Sequence, residues 1–370
     1  MGVVLRTDRA RPGQGPDPVP DAPPGAVRVM VIDDSITVRT AFSRMIEREA
    51  DLAVVAQAPS AEQGLVMLRS RAVDVILLDL EMPGMGGLEA LPKILAAAAG
   101  GAVLVVSSLT ADGAEATLSA LQMGAADTML KPRPGGFTED YRTNLLAKIR
   151  ALGAKRRPRP AAPAPLPPPA RAAKPKRPEV VAIGASTGGI HALGLFLRRL
   201  PASFNLPILI TQHLPENFIA VFARQMEAAA GREAVLADDG VAVLPGRIVV
   251  APGHGHMVVR REGAAVTTGI TQQIVKSGCR PSVDPMFTSL AEVYDGHVAA
   301  VLLSGMGRDG TEGAERIAAA GGGIYAQDEA SCAVWGMPRG VIESGIACAA
   351  CPPEELAIRI VAAAGAAAWR

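Results

Sequence analysis

Short apolar runs recur along most of this chain, each closed by a polar residue and followed by a stretch with helical spacing. VRVMVI (27–32) ends on Asp33 and Asp34 and leads into a helical pattern through Ile46. LAVVAQA (52–58) precedes a helix over 61–68, and VDVILLD (73–79) ends on Asp79 before a Pro-Gly loop. AVLVVSS (102–108) ends on Ser107 and Ser108 before a helix over 114–123. ADTML (126–130) ends on Lys131-Pro132, and a last helix covers 138–152. Runs that are apolar at every position are strands buried on both faces. Five strand–helix alternations therefore predict a doubly wound, five-stranded parallel sheet with its site at the carboxyl ends of the strands. The polar residues Asp33, Asp34, Asp79, Ser107 and Lys131 all fall at those ends.

A second series starts at Glu179. VVAI (180–183) runs into Gly184, Ala185, Ser186, Thr187, Gly188 and Gly189, none of which has a large side chain. Ala192, Leu193, Phe196, Leu197 and Leu200 then share one helical face. A strand, a tight turn and a helix in succession lift a side chain out of the sheet end and aim free backbone N–H groups beside it. A hydroxyl there is a candidate nucleophile next to an oxyanion hole. The same turn also suits a phosphate or dinucleotide loop, but the spacing is not G-x-G-x-x-G and no Gly-Lys-Ser/Thr follows.

Further on, LPILITQ predicts a strand ending at His213, and ENFIAVFARQMEAAA a helix. GRIVVAPG and HMVVRREGAAVTTG read as short strands of a β excursion, 270–285 as a polar loop and 286–294 as a helix. HVAAVLLSGMGRDG is a strand and glycine turn holding Asp309. A helix over 311–320, the strand GGIYAQDE and two closing helices complete a second α/β domain with a mostly parallel sheet. Ser186, His213 and Asp309 then lie along one sheet edge as nucleophile, base and orienting acid. Each of the three taken alone is more often a cap or loop residue.

The length of 370 residues suits two domains, and 49% hydrophobic residues suffice for two cores. Residues 1–25, rich in Pro, Gly, Arg and Asp, predict a disordered extension. The domains expected are 26–150 and 179–370, joined by a linker over 151–178 whose segment 155–178 holds nine prolines, eight basic residues and no acid. A formal net charge of +1 offers no field to recruit nucleic acid or a membrane surface. No apolar stretch predicts membrane insertion and no signal peptide is legible, so a cytoplasmic location is expected. Of Cys279, Cys332, Cys348 and Cys351 only the last two form a Cys-x-x-Cys, and no second pair completes a zinc site. His254 and His256 are expected in a turn or lining the cleft, and His191 on a helix surface. Tyr325, Trp335 and Phe287 are expected to pack.

The first half resembles the receiver domain of two-component response regulators, through the acidic pair, LLDLEMPGM, the hydroxyl after the fourth strand and the Lys-Pro after the fifth. The resemblance implies that Asp79 is the phospho-acceptor and that Asp33, Asp34 and Asp79 hold Mg²⁺. It also implies that Ser107 and Lys131 contact the phosphoryl group. Gly86 stands where that pattern has an acid. GASTGG, QHLPENF, CRPSVDPMF and SGMGRDG resemble the catalytic domain of the CheB protein-glutamate methylesterases, which share the order receiver, linker, esterase. That likeness implies Ser186 as nucleophile, His213 as base and Asp309 as the third member. It places the backbone N–H groups of Thr187 and Met306 in the oxyanion hole and Arg280, Pro281, Ser282, Val283 and Asp284 along the substrate cleft.

The implied reaction is hydrolysis of glutamyl methyl esters on chemoreceptor helices, with deamidation of some glutamines and no cofactor for the ester step. The implied partners are those receptors and a phosphodonor histidine kinase, with no nucleic acid, and the protein itself is expected to be a monomer. The unphosphorylated receiver is expected to cover the cleft near Ser186. The alternative is a receiver-gated adaptor, or an esterase serving another receptor-like system.

Overall fold

The computed structural model describes residues 22–107, 111–132, 136–154 and 175–365. The expected disorder before residue 22 and most of the proline-rich linker lie outside them.

The N-terminal domain runs β1 (Val27–Ile32), α1 (Ile36–Ile46), β2 (Leu52–Ala58), α2 (Ala61–Leu68), β3 (Val75–Asp79), α3 (Gly87–Ala97), β4 (Ala102–Ser107), α4 (Ala111–Met123), β5 (Asp127–Leu130) and α5 (Glu139–Gly153). Its sheet has the order β2-β1-β3-β4-β5, with every pairing parallel. Alternate residues feed opposite faces, which is why the strands are apolar throughout. Val29, Val31, Leu77 and Leu104 pack with Phe42 of α1 and Ile149 of α5. Met30, Ile32, Ile76 and Val105 face Leu91 of α3 and Leu118 of α4. Helix α3 was hidden in the sequence because Pro92 sits inside it and glycines crowd its start. Gly87 is needed there, since a Cβ would stand 2.0 Å from the Asp79 carbonyl oxygen.

The second domain runs β6 (Val180–Ala185), α6 (Gly189–Arg198), β7 (Ile208–Gln212), α7 (Glu216–Ala230), β8 (Ala234–Leu236), β9 (Ile248–Val250), β10 (His256–Glu262) and β11 (Ala265–Thr271). It continues through α8 (Val283–Val293), β12 (Val298–Leu302), α9 (Thr311–Ala319), β13 (Gly323–Gln327), α10 (Met337–Glu343), β14 (Ala349–Cys351) and α11 (Pro353–Ala363). Seven strands form one sheet in the order β14-β13-β12-β6-β7-β9-β8, all parallel. This corrects the expected β excursion: GRIVV enters the main sheet as β9, and only β10 and β11 stand apart as an antiparallel hairpin. Strands β8 and β14, three residues each, are too short to show in an apolar pattern. Val181, Ile183 and Ile210 pack on Phe196, Phe218 and Phe222. Ala182, Leu209 and Ala300 pack on Phe287 and Leu290.

Helix α4 of the first domain packs on α6 and α7 of the second. Leu118, Leu121 and Ala125 are buried in the same apolar cluster as Ile190, Leu193 and Leu214. No helix among the described residues is long and apolar enough to cross a membrane.

Candidate active site

Strands β12, β6 and β7 are neighbours at the centre of the second sheet, and each ends just before a loop with one polar side chain of interest. Ser186 follows β6. Its N–H donates to the Ser304 carbonyl at 3.0 Å, and its own carbonyl accepts from Gly189 N at 2.8 Å and from Gln212 Nε2 at 2.9 Å. The turn needs glycine at 188, where φ is +77° and a Cβ would meet Ala333 at 2.5 Å. Gly305 is equally constrained, since a Cβ there would stand 2.9 Å from the Ser186 Cβ.

His213 follows β7, and its Nε2 lies 2.7 Å from Oδ2 of Asp309, which follows β12. Asp309 is buried and its carboxylate is fully engaged: Ser282 Oγ donates to Oδ1 at 2.6 Å and Val283 N to Oδ2 at 2.7 Å. Burial alone would raise the Asp309 acid, but His213, Ser282 and Val283 together hold it well below the usual carboxylate range. Burial alone would likewise lower His213, yet its bond to Asp309 and the nearby Cys279 push it up to about 9. Ser186 and His213 line one cavity of about 10 Å³, room for a single water and too small for a glutamyl side chain.

The other wall of that cavity comes from the first domain: Leu121, Ala125, Ala126 and Asp127. Asp127 accepts a 2.5 Å bond from Thr187 Oγ1, the residue beside Ser186, and also pairs with Lys148 at 2.5 Å. The Ala126 carbonyl accepts from Gly188 N at 2.6 Å, so a receiver carbonyl occupies one backbone donor of the turn. His191 is not a free surface residue as expected. It is half-buried, and its Nδ1 contacts the Gln122 carbonyl at 2.8 Å. Sequence reasoning missed Asp127, because the pairing joins the start of β5 to a turn of the other domain.

The loop 280–284 does less lining than expected. Pro281, Ser282 and Val283 are buried, and Ser282 and Val283 are spent on Asp309. Asp284 accepts from Gly313 N at 2.8 Å at the start of α9, and Arg280 is the exposed residue of the five. The physical reason is that a buried carboxylate needs donors, and this loop supplies them. His256 supports the same loop: its Nδ1 accepts from Ser282 N at 2.9 Å while Nε2 donates to the Gln273 carbonyl at 3.1 Å, which fixes its tautomer. Met306 is 40% exposed and follows Gly305 at the edge of the site.

In the first domain Asp33, Asp34 and Asp79 bring carboxylate oxygens within 4.8 Å of one another. Lys131 Nζ reaches Asp79 at 2.6 Å and Asp33 at 3.0 Å. Burial raises the Asp79 acid, and so does Asp33, against the pull of Lys131. Crowded carboxylates with one lysine suit a hard divalent cation bound through oxygen. The Ser107 hydroxyl beside them is buried without a hydrogen-bond partner among the described residues.

Known proteins match along both domains. Residues 29–137 match the response regulator receiver domain and 181–360 the CheB methylesterase family. The protein-glutamate methylesterase/protein-glutamine glutaminase 1 of Paramagnetospirillum magneticum is 40% identical, over 92% of this chain and 96% of its own. Its namesake numbered 2 in Caulobacter vibrioides is 44% identical, over 89% of this chain and 96% of its own. The crystal structure of the Thermotoga maritima CheB methylesterase catalytic domain is 34% identical with a TM-score of 0.49, covering 50% of this chain and 98% of that one. With a receiver half, an esterase half and relatives aligned across both, the chain belongs to the CheB family of protein-glutamate methylesterases/protein-glutamine glutaminases.

Proposed function

We propose that the chain hydrolyses glutamyl γ-methyl esters on the cytoplasmic helices of methyl-accepting chemoreceptors and deamidates glutamines at similar positions. Ser186 Oγ attacks the ester carbonyl, and His213 takes the hydroxyl proton and delivers it to the departing methoxide. Asp309 fixes the imidazole tautomer and stabilises the imidazolium. The N–H groups of Thr187 and Met306 bind the oxyanion, and Arg280 meets the incoming helix at the rim. Water then cleaves the glutamyl-serine ester, leaving glutamate on the receptor and Ser186 restored. A carboxamide in place of the ester releases ammonia by the same steps. The observation that carries this reading is the 2.7 Å His213–Asp309 contact beside the cavity that His213 and Ser186 both line.

The receiver half controls access. In the state described, its α4–β5 segment lines the cavity that Ser186 and His213 share. Asp79 accepts a phosphoryl group from a histidine kinase. A Mg²⁺ ion, which Asp33, Asp34 and Asp79 would hold, offsets the phosphoryl charge when bound. Ser107 and Lys131 then turn to the phosphoryl oxygens. Ser107 closes the strand that leads into α4, so its movement bears on the face packed against α6 and α7. The protein acts as a cytoplasmic monomer in this reading.

Mass spectrometry of methylated receptor peptides is the direct test. The phosphorylated protein should remove the methyl groups and Ser186→Ala should not. Demethylation that persists in the variant would overturn the assignment of the nucleophile.

A further inference from the structure

Three side chains at the active site form a metal-ligating set that acyl transfer does not use as one. Cys279 lies near the end of the loop between β11 and α8, just before Ser282 and Val283. Its Sγ, a ring nitrogen of His213 and a carboxylate oxygen of Asp309 all lie within 4.8 Å of one another. Asp309 is buried, while Cys279 and His213 are partly exposed and open to an entering ion. We propose that this cluster is a binding site for a borderline-soft divalent cation, Zn²⁺ above all, and that the ion switches the esterase off by taking its base.

The donor set selects the ion. Thiolate, imidazole and carboxylate together suit Zn²⁺, whereas Mg²⁺ takes oxygen ligands. Zinc bonds of about 2.0–2.3 Å place tetrahedral ligand atoms roughly 3.3–3.7 Å apart. Cys279 therefore closes in by a side-chain rotation on its loop, and the 2.7 Å His213–Asp309 pair opens by about half an ångström. The support that a metal carboxylate needs is already present, because Ser282 Oγ and Val283 N hold Asp309 in place. Three protein ligands leave the fourth position to water. On binding, the thiol proton and any proton on the ligating ring nitrogen pass to solvent, and no other bond changes. The zinc pattern is invisible in the sequence because its ligands come from loops at 213, 279 and 309.

The inhibitory consequence rests on His213 being the base, but the binding does not, and the test separates the two. Co²⁺ serves as the spectroscopic probe on the full chain, with excess Mg²⁺ present to fill the receiver's acidic trio. The wild type should take up one tetrahedral Co²⁺ with a thiolate-to-cobalt charge-transfer band that Zn²⁺ displaces. Cys279→Ala and Cys279→Ser should lack the band, and the double variant Cys348→Ala/Cys351→Ala should keep it. Zn²⁺ should abolish receptor demethylation by the wild type, and a chelator should restore it. The Cys279 variants should need at least roughly tenfold more Zn²⁺ for the same inhibition. A wild type without the band, or a Cys279 variant that retains it, would overturn the site. Zn²⁺ bound through Cys279 with demethylation undiminished would overturn the switch.

Discussion

At the scale of single residues, the balance around His213 sets the chemistry. Burial would strip its proton, but Asp309 and Cys279 outweigh burial and raise it to about 9. A general base must be neutral, so kcat/KM should climb through an apparent pKa above the ordinary value of about 6.5, into alkaline pH. A profile flat from about pH 6 to 10, with chemistry limiting, would count against His213 as base. The same shift has a stability sign. A raised histidine pKa contributes stability that is complete below the unfolded value of about 6.5 and is lost as pH rises through about 9. The urea midpoint should fall across that window in the wild type and fall less in His213→Gln. Ser282→Ala leaves one buried oxygen of Asp309 without its donor. It should cost about 1–3 kcal/mol in denaturant titrations and lower kcat, because Asp309 then holds the imidazole less firmly.

At the scale of elements, the turn after β6 works because several neighbours have no side chain to intrude. Gly305, three residues after β12, is one of them: a Cβ would stand 2.3 Å from Met337 Sδ and 2.9 Å from the Ser186 Cβ. Gly305→Ala should therefore displace the nucleophile and lower kcat by about tenfold or more, since small misplacements of reacting groups are costly. Its circular dichroism spectrum should match the wild type. Wild-type kcat in this variant would mean that the turn has slack the distances do not suggest. The elements themselves were largely readable, because strands buried on both faces leave unbroken apolar runs. Helix α3 and strands β8 and β14 were not, since a proline-bearing helix and three-residue strands are defined by their neighbours, while β9 was legible as a strand but not as a member of the main sheet.

At the scale of the whole molecule, the receiver and the esterase meet beside Ser186, the proposed nucleophile. Asp127 grips Thr187 and the Ala126 carbonyl holds Gly188 N. Asp127→Ala should raise the activity of the unphosphorylated chain severalfold, because the interface loses the side-chain tie beside Ser186 while α4 stays packed. A fragment of residues 179–370 should also exceed the unphosphorylated full chain. A small phosphodonor with Mg²⁺ should activate the full chain but neither that fragment nor Asp79→Asn. Equal activity of fragment and unphosphorylated chain would remove the gate and leave the receiver a docking role.

What the sequence determined by itself was the kind of each half and the residues at its strand ends. Strand periodicity and local turn chemistry are short-range properties, and Ser186, His213 and Asp309 each close a run that can be read without the rest. Only the tertiary structure decided what those residues meet. It gave Ser282 and Val283 to Asp309, where they had been expected along the cleft, and moved His191 from a free surface to the domain interface. It brought Cys279 beside His213 and set Asp127 against Thr187. Each of these is a contact between residues distant in the chain. Such contacts follow from strand order and domain docking, which no local pattern encodes.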